Sequence, residues 1–168
     1  MKLSTKTKYV TQAALIAAFY TVLTLVSYLF GLDKGVIQLR LSEALAVLPA
    51  FTPAAIPGLF LGCALSSFLS QGHILDVVFG SLVTLSAAAL CYLLRGVSRY
   101  RLGALLLPLP NIVLNAALIP LVLIFVYGVP DAYPFLLLTV GVGELLASGV
   151  LGVLLYFVLL RRKNIFAL

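Results

Sequence analysis

Glu144 is the residue of this chain best placed to do chemistry. It lies about ten residues, roughly 15 Å, inside the last apolar stretch, and no basic residue in the core of that stretch can neutralise it. A carboxylate at that depth needs a partner: another helix, a ligand or a proton. Gly141, Gly143 and Ser148 beside it are small, so the face carrying Gly141, Glu144 and Ser148 can wall a cavity. Asn111 and Asn115 stand four apart in the preceding stretch and share a helical face, with Asn115 about 18 Å from the outer end, close to the depth of Glu144. Two helices can thus present one polar site. The competing reading makes the asparagines interhelical glue. Pro120 leaves the Ala116 carbonyl without its usual donor and kinks the helix just outside the asparagines.

Arg40 and Glu43 head an apolar run broken by Pro49, Pro53 and Pro57. Spaced three apart, they can pair along one helix turn, which suits them to shaping a pocket mouth rather than recognising a ligand. Asp33, Lys34 and Gln38 precede them in a long outer loop able to close over such a mouth. His73 and Asp76 would make a weak metal site at most, and a solvated helix start with Asp76 in its first turn is the expectation. No metal is called for. Cys63 and Cys91 lie inside apolar runs without metal-binding spacing and read as buried, inert thiols. Ala13 with Ala17, and Ala14 with Ala18, set two overlapping small-residue registers on the first helix, along which another helix backbone can approach. No nucleophile elbow, zinc-protease motif or P-loop occurs, and there is a single histidine, so enzymatic chemistry is not expected.

The elements that hold these residues must be membrane helices. Apolar residues make up 63% of the 168, and charged residues 10%, against an apolar share of about 45–50% in soluble domains. The mean hydropathy is +1.21. Lipid is the solvent for most of this surface, and strands of a barrel are excluded because their alternating pattern is absent. The net charge of +6 comes from clustered bases: Lys2, Lys6 and Lys8 before the first apolar stretch, Arg95, Arg99 and Arg101 in one short break, and Arg161, Arg162 and Lys163 at the end. The positive-inside rule accounts for these clusters, so no nucleic-acid partner is inferred.

Breaks divide the chain into six apolar segments, roughly Val10 to Phe30, Leu41 to Ala50, Pro53 to Leu69, Ile74 to Leu94, Leu102 to Val126 and Pro134 to Leu160. The expectation is an all-α membrane protein forming one domain over residues 1–168, with six transmembrane helices and both termini cytoplasmic, where the basic clusters belong. The basic start resembles a signal peptide but lacks its cleavage site, and the first segment is read as a retained helix. As an α-helix the second segment is about 15 Å long, half of a crossing, and must be shielded by its neighbours.

These residues carry a resemblance. The chain resembles the substrate-binding S components of energy-coupling factor (ECF) vitamin transporters, and within them the QueT family, on RLSEALAVLPAFTPAAIPGLFLGC from Arg40, DVVFGSLVTLSAA from Asp76 and GELLASGVLG from Gly143. The resemblance implies a six-helix bundle in the bacterial cell membrane that captures a queuosine precursor (the 7-deazaguanines preQ0, preQ1 or queuine) from outside. It implies that a T component and two ATPase subunits supply the power stroke, with ATP used by them and no cofactor in this chain. The alanine registers Ala13/Ala17 and Ala14/Ala18 match the AxxxA helix that docks the T component. Glu144 would read the adjacent N–H and amine of the guanine edge, Asn115 and Asn111 its remaining polar edge, and Phe79 or Tyr133 would stack on the ring. An S component for another flat vitamin, a proton-coupled secondary transporter using Glu144 and a non-transporting scaffold are the alternatives.

Overall fold

The computed structural model describes residues 4–32, 37–70, 73–97 and 101–161. Lys2, Asp33, Lys34, Arg99, Arg162 and Lys163, which carry part of the charge pattern, lie outside the described residues. Every element among the described residues is a helix. In chain order they are α1 (Thr5–Leu29), a 3-10 helix (Leu41–Ala50), α2 (Ala55–Ser70), α3 (Ile74–Leu94), a second 3-10 helix (Arg101–Leu106), α4 (Leu109–Phe125), α5 (Tyr133–Glu144), a π-helical stretch (Leu145–Leu151) and α6 (Gly152–Leu160). The last three form one rod, Tyr133–Leu160.

All six expected segments are present as helices, but they differ in reach. Four are long and apolar enough to cross a membrane: Thr5–Leu29, Ile74–Leu94, Gly103–Phe125 and Tyr133–Leu160. Leu41–Ala50 and Ala55–Ser70 are shorter. The distribution of side chains is inverted relative to a soluble protein. Phe19, Phe68, Leu93, Val113, Phe125, Leu138 and Leu154 face outward, while Thr24, Ser42, Glu43, Ser66, Asp76, Asn111, Asn115, Glu144 and Ser148 are buried. A surrounding apolar solvent favours this arrangement, because polar groups can be satisfied only inside the bundle.

The short second element is wound as a 3-10 helix over ten residues, where such runs rarely exceed three or four. Its rise of about 2.0 Å per residue takes it about 20 Å, further than an α-helix of equal length but still short of a core about 30 Å thick. It lies where α1, α3, α6 and the π-helical stretch all pack around it, with Ser42, Glu43, Ala46, Val47, Leu48 and Pro49 buried. Shielding of this kind is what its length requires, and it brings Glu43 into the interior.

α1 and α2 form a close seam. A Cβ on Gly58 would lie 2.8 Å from the Ala13 carbonyl oxygen, and one on Gly62 would lie 2.8 Å from Tyr20 Cβ and 2.9 Å from the Ala17 carbonyl oxygen. The glycines of α2 therefore receive the Ala13/Ala17 register of α1. Ala14 and Ala18 are exposed, flanked by the exposed Leu15, Phe19 and Val22. The two registers, equivalent in the sequence, have separate fates. Gly62→Val must push α1 away through backbone contacts that cannot swing aside, at a cost of roughly 1–3 kcal/mol. We expect a lower thermal midpoint in detergent, and an unchanged midpoint would contradict this close approach.

Candidate functional site

The polar residues of α1 build the platform. Tyr20, Thr24 and Ser27 recur at intervals of four and three, on one helical face, and each meets the first turn of the 3-10 helix, which the strap of residues 37–40 enters. The Leu41 backbone N–H donates to Ser27 Oγ at 2.9 Å, and Thr24 Oγ1 donates to Ser42 Oγ at 2.8 Å. The Tyr20 hydroxyl donates to Glu43 Oε1. Leu39 N–H is held by the Leu32 carbonyl at 2.9 Å, which ties the strap back to the end of α1. These three α1 residues were missed in reading the sequence, although a polar spacing of four and three within a membrane helix was the available signal.

Glu43 does not pair along a helix turn with Arg40. Arg40 caps the 3-10 helix in extended conformation (φ −106°, ψ 109°); its carbonyl accepts from Glu43 N–H at 3.1 Å, but no hydrogen bond joins the two side chains among the described residues. Nor is Glu43 at a pocket mouth: it is 2% exposed. Its Oε1 takes the Tyr20 hydroxyl, and its Oε2 accepts a hydrogen bond from Asn111 Nδ2 at 3.0 Å. The same Asn111 nitrogen donates to Glu144 Oε2 at 2.9 Å. One amide thus bridges two carboxylates from elements far apart in the chain.

Asn115 completes the cluster by donating from Nδ2 to the Asn111 carbonyl at 3.0 Å and to Asn111 Oδ1 at 3.1 Å. Its neighbour fixes it, and both of its amide hydrogens are used, which leaves Oδ1 as an acceptor. Glu144 sits where α5 gives way to the π-helical Leu145–Leu151, an irregularity of a kind common at functional sites. It is 8% exposed, and among the described residues its sole hydrogen bond is through Oε2. Oε1 therefore remains open. Ser148, expected on the face of Glu144, is buried, and its Oγ meets no hydrogen-bond partner among the described residues.

A cleft of about 10 Å³ adjoins this cluster, lined by Gln38, Arg40, Asn115, Ile119, Val140 and Glu144. That is room for about one water molecule, against about 300–1,000 Å³ for a small-molecule pocket. The strap containing Gln38 and Arg40 closes it, resting on Gly143: a Cβ there would lie 1.9 Å from the Gln38 carbonyl oxygen. Glu144 and Asn115, each with one oxygen that accepts no hydrogen bond among the described residues, thus share the lining of this cleft with Arg40.

The stacking residues fall elsewhere. Phe79 is 52% exposed and lines an apolar groove with Val83, Leu118, Leu121, Val122, Phe125 and Val126. The inward stripe of α3 runs through Asp76, Gly80, Val83 and Ala87, and Phe79 lies beside it rather than on it. Tyr133 is about 16 Å from Glu144 along the same rod, and its hydroxyl donates to the Ala117 carbonyl at 3.0 Å, tying α5 to α4. Asp76 is not at a solvated helix start; it is 4% exposed. The tertiary packing of α3 overrides its position in the first turn.

A family model described as the QueT transporter matches residues 10–161, nearly the whole chain. The chain belongs to the QueT transporter family. Within reach of ordinary sequence comparison is the protein of Lactococcus lactis subsp. cremoris (strain MG1363) described as "Queuosine precursor transporter QueT", 37% identical over 89 residues. That match covers 53% of this chain and 52% of the relative. No solved structure matches the chain. Membership of the QueT family, with four helices able to span a membrane, makes this a multi-pass protein of the bacterial cell membrane.

Proposed function

We propose that this chain is the membrane-embedded, substrate-binding subunit of an ECF-type importer for a queuosine precursor, a 7-deazaguanine. The observation that carries the reading is the open Glu144 carboxylate beside Asn115 and Arg40 on one buried cleft. A guanine edge presents a ring N–H and an exocyclic amine side by side, followed by a carbonyl. Two acceptors followed by a strong donor complement it, so Glu144 Oε1 and Asn115 Oδ1 take the donors and Arg40 gives to the ring carbonyl. Asn111 positions Glu144 rather than touching the ligand, since its amide hydrogens are already committed. Glu43 holds Asn111 in turn. A QueT relative described as a queuosine precursor transporter supports the substrate class.

In this reading the basic clusters put both termini in the cytoplasm, the cleft opens outward and the strap swings away to admit ligand. Energy comes from partners: a T component and two ATPase subunits. Ala14 and Ala18 form the docking register, because Ala13 and Ala17 are already occupied by Gly58 and Gly62 of α2. Isothermal titration calorimetry of the purified chain with 7-deazaguanines tests the ligand. Micromolar or tighter binding is expected, and no binding by any of them overturns the reading. Ala18→Leu tests the partner face: we expect it to keep ligand affinity within about twofold while the ATPase module no longer copurifies, because a bulky side chain blocks close helix approach.

A further inference from the structure

Glu43 and Glu144 are two buried carboxyl groups served by one amide. Asn111 Nδ2 donates to Glu43 Oε2 at 3.0 Å and to Glu144 Oε2 at 2.9 Å, so these two oxygens stand no more than about 6 Å apart. Two negative charges that close, away from water, repel strongly, and such a site keeps a proton on one member. The hydrogen bonds say which member. Both oxygens of Glu43 receive donors, the Tyr20 hydroxyl at Oε1 and the Asn111 amide at Oε2, which is the arrangement an ionised carboxylate makes. Glu144 receives one donor, at Oε2, and its Oε1 accepts no hydrogen bond among the described residues. A proton therefore has a better place on Glu144 Oε1 than on either oxygen of Glu43.

The other groups around the pair keep this order. Arg40 lines the cleft with Glu144, yet no hydrogen bond or ion pair joins it to either acid among the described residues, and one guanidinium offsets one negative charge, not two. α4 presents the amides of Asn111 and Asn115 and no titratable group, and the π-helical stretch presents none. Tyr20 of α1 and, behind it, Cys63 of α2 are uncharged at neutral pH, and Asp76 of α3 faces Arg40 rather than Glu144. We propose that Glu43 is a positioning residue that acts through Asn111 to keep a proton on Glu144 Oε1 in the empty site, and that a ligand offering N–H donors binds as that proton leaves. This rests on the ligand reading above and deepens it. The donor edge of a 7-deazaguanine opposes the O–H of a protonated Glu144 and becomes complementary once the proton passes to bulk water and Oε1 accepts the ligand N–H. The empty site holds the proton and the complex does not, so affinity rises with pH, about tenfold per unit over the range in which the empty site titrates.

The test is calorimetry on the full chain in lipid nanodiscs with unsubstituted 7-deazaguanine, in buffers of differing ionisation enthalpy and across a pH series. The parent chain should release about one proton per ligand and bind about tenfold more tightly per unit rise in pH while the site titrates. Glu43→Gln should release none and bind with an affinity independent of pH, whereas a merely structural role for Glu43 would weaken binding equally at every pH and leave the release intact. Binding without proton release in the parent chain overturns the proposal without recourse to any variant. Release that persists in Glu43→Gln also overturns it, by making burial rather than Glu43 the cause. Infrared spectroscopy of the empty chain reads the proton with no ligand present: a protonated-carboxyl component should vanish in Glu144→Gln and in Glu43→Gln alike. A spectrum that Glu144→Gln leaves unchanged in that region overturns the assignment. If 7-deazaguanine does not bind at any pH, it is the ligand reading that fails, and the infrared component alone decides where the proton sits.

Discussion

Glu144→Gln should lower the affinity for a 7-deazaguanine by about a hundredfold, roughly 3 kcal/mol, while the protein remains folded. The substitution keeps the shape and removes one acceptor, so its effect follows from hydrogen bonds alone. Glu144 Oε2 accepts from Asn111 Nδ2 at 2.9 Å, and Oε1 accepts no hydrogen bond among the described residues, which leaves it for the proposed ligand. A glutamine that keeps its oxygen toward Asn111 must point its amide hydrogens at the N–H donors of the guanine edge. Flipped, it sets its amide against the amide of Asn111, which is itself held by Glu43 and cannot turn. Either orientation opposes two donors. Calorimetry on the purified variant measures the loss, and binding as tight as the parent's would remove Glu144 from the recognition site. Glu43→Gln should behave differently. Both Glu43 oxygens are occupied within the protein, by Tyr20 and Asn111, so its variant should lose thermal stability at least as markedly as affinity.

The sequence laid out the helices far more legibly than the polar network inside them. Segment ends come from breakers and charges that act locally, and Gly31, at φ 68°, closes α1 where the apolar run stops. Depth along a helix is also local arithmetic, which is why the sequence alone places Glu144, Asn111 and Asn115 at one level. The partners of Glu43 were not legible. Pairing with Arg40 presumes an α-helix that already includes Arg40, whereas the chain is extended there and turns helical only at Leu41. Tyr20, twenty-three positions away, provides the partner instead, and no local rule reaches that far. Phe79 and Asp76 failed for a related reason. Helix α3 rotates to bury Asp76, Gly80 and Val83, and that rotation is set by neighbouring helices rather than by its own weakly amphipathic pattern.

The two alanine registers make the same point in reverse. Sequence offered Ala13/Ala17 and Ala14/Ala18 equally, and the choice depended on Gly58 and Gly62, which lie on a different helix. Once those glycines have taken one register, the other is left exposed on α1. Small residues in a membrane helix thus specify close approach but not what approaches.

Gly143→Ala should weaken ligand binding by nearly as much as Glu144→Gln, yet leave the fold intact. Within a helix alanine is favoured over glycine by about 1 kcal/mol, so the local effect of the substitution is stabilising. Its Cβ, however, would lie 1.9 Å from the Gln38 carbonyl oxygen, a backbone atom that can yield only by moving the strap. Displacing that strap withdraws Gln38 and Arg40 from the cleft they line with Glu144. Loss of the Arg40 contact and of closure over the ligand is worth on the order of a hundredfold in affinity, most of it as faster dissociation. Surface plasmon resonance on the chain held in nanodiscs reads the dissociation rate directly. Gly141→Ala supplies the control on the same rod, because its Cβ would meet Ala116 Cβ at an ordinary 3.5 Å and should change neither rate nor midpoint. If Gly143→Ala released ligand no faster than Gly141→Ala, the strap would not be what closes the site. Should it release faster at an unchanged melting temperature, the seat of Gln38 on Gly143 is the latch that decides how long a captured ligand stays.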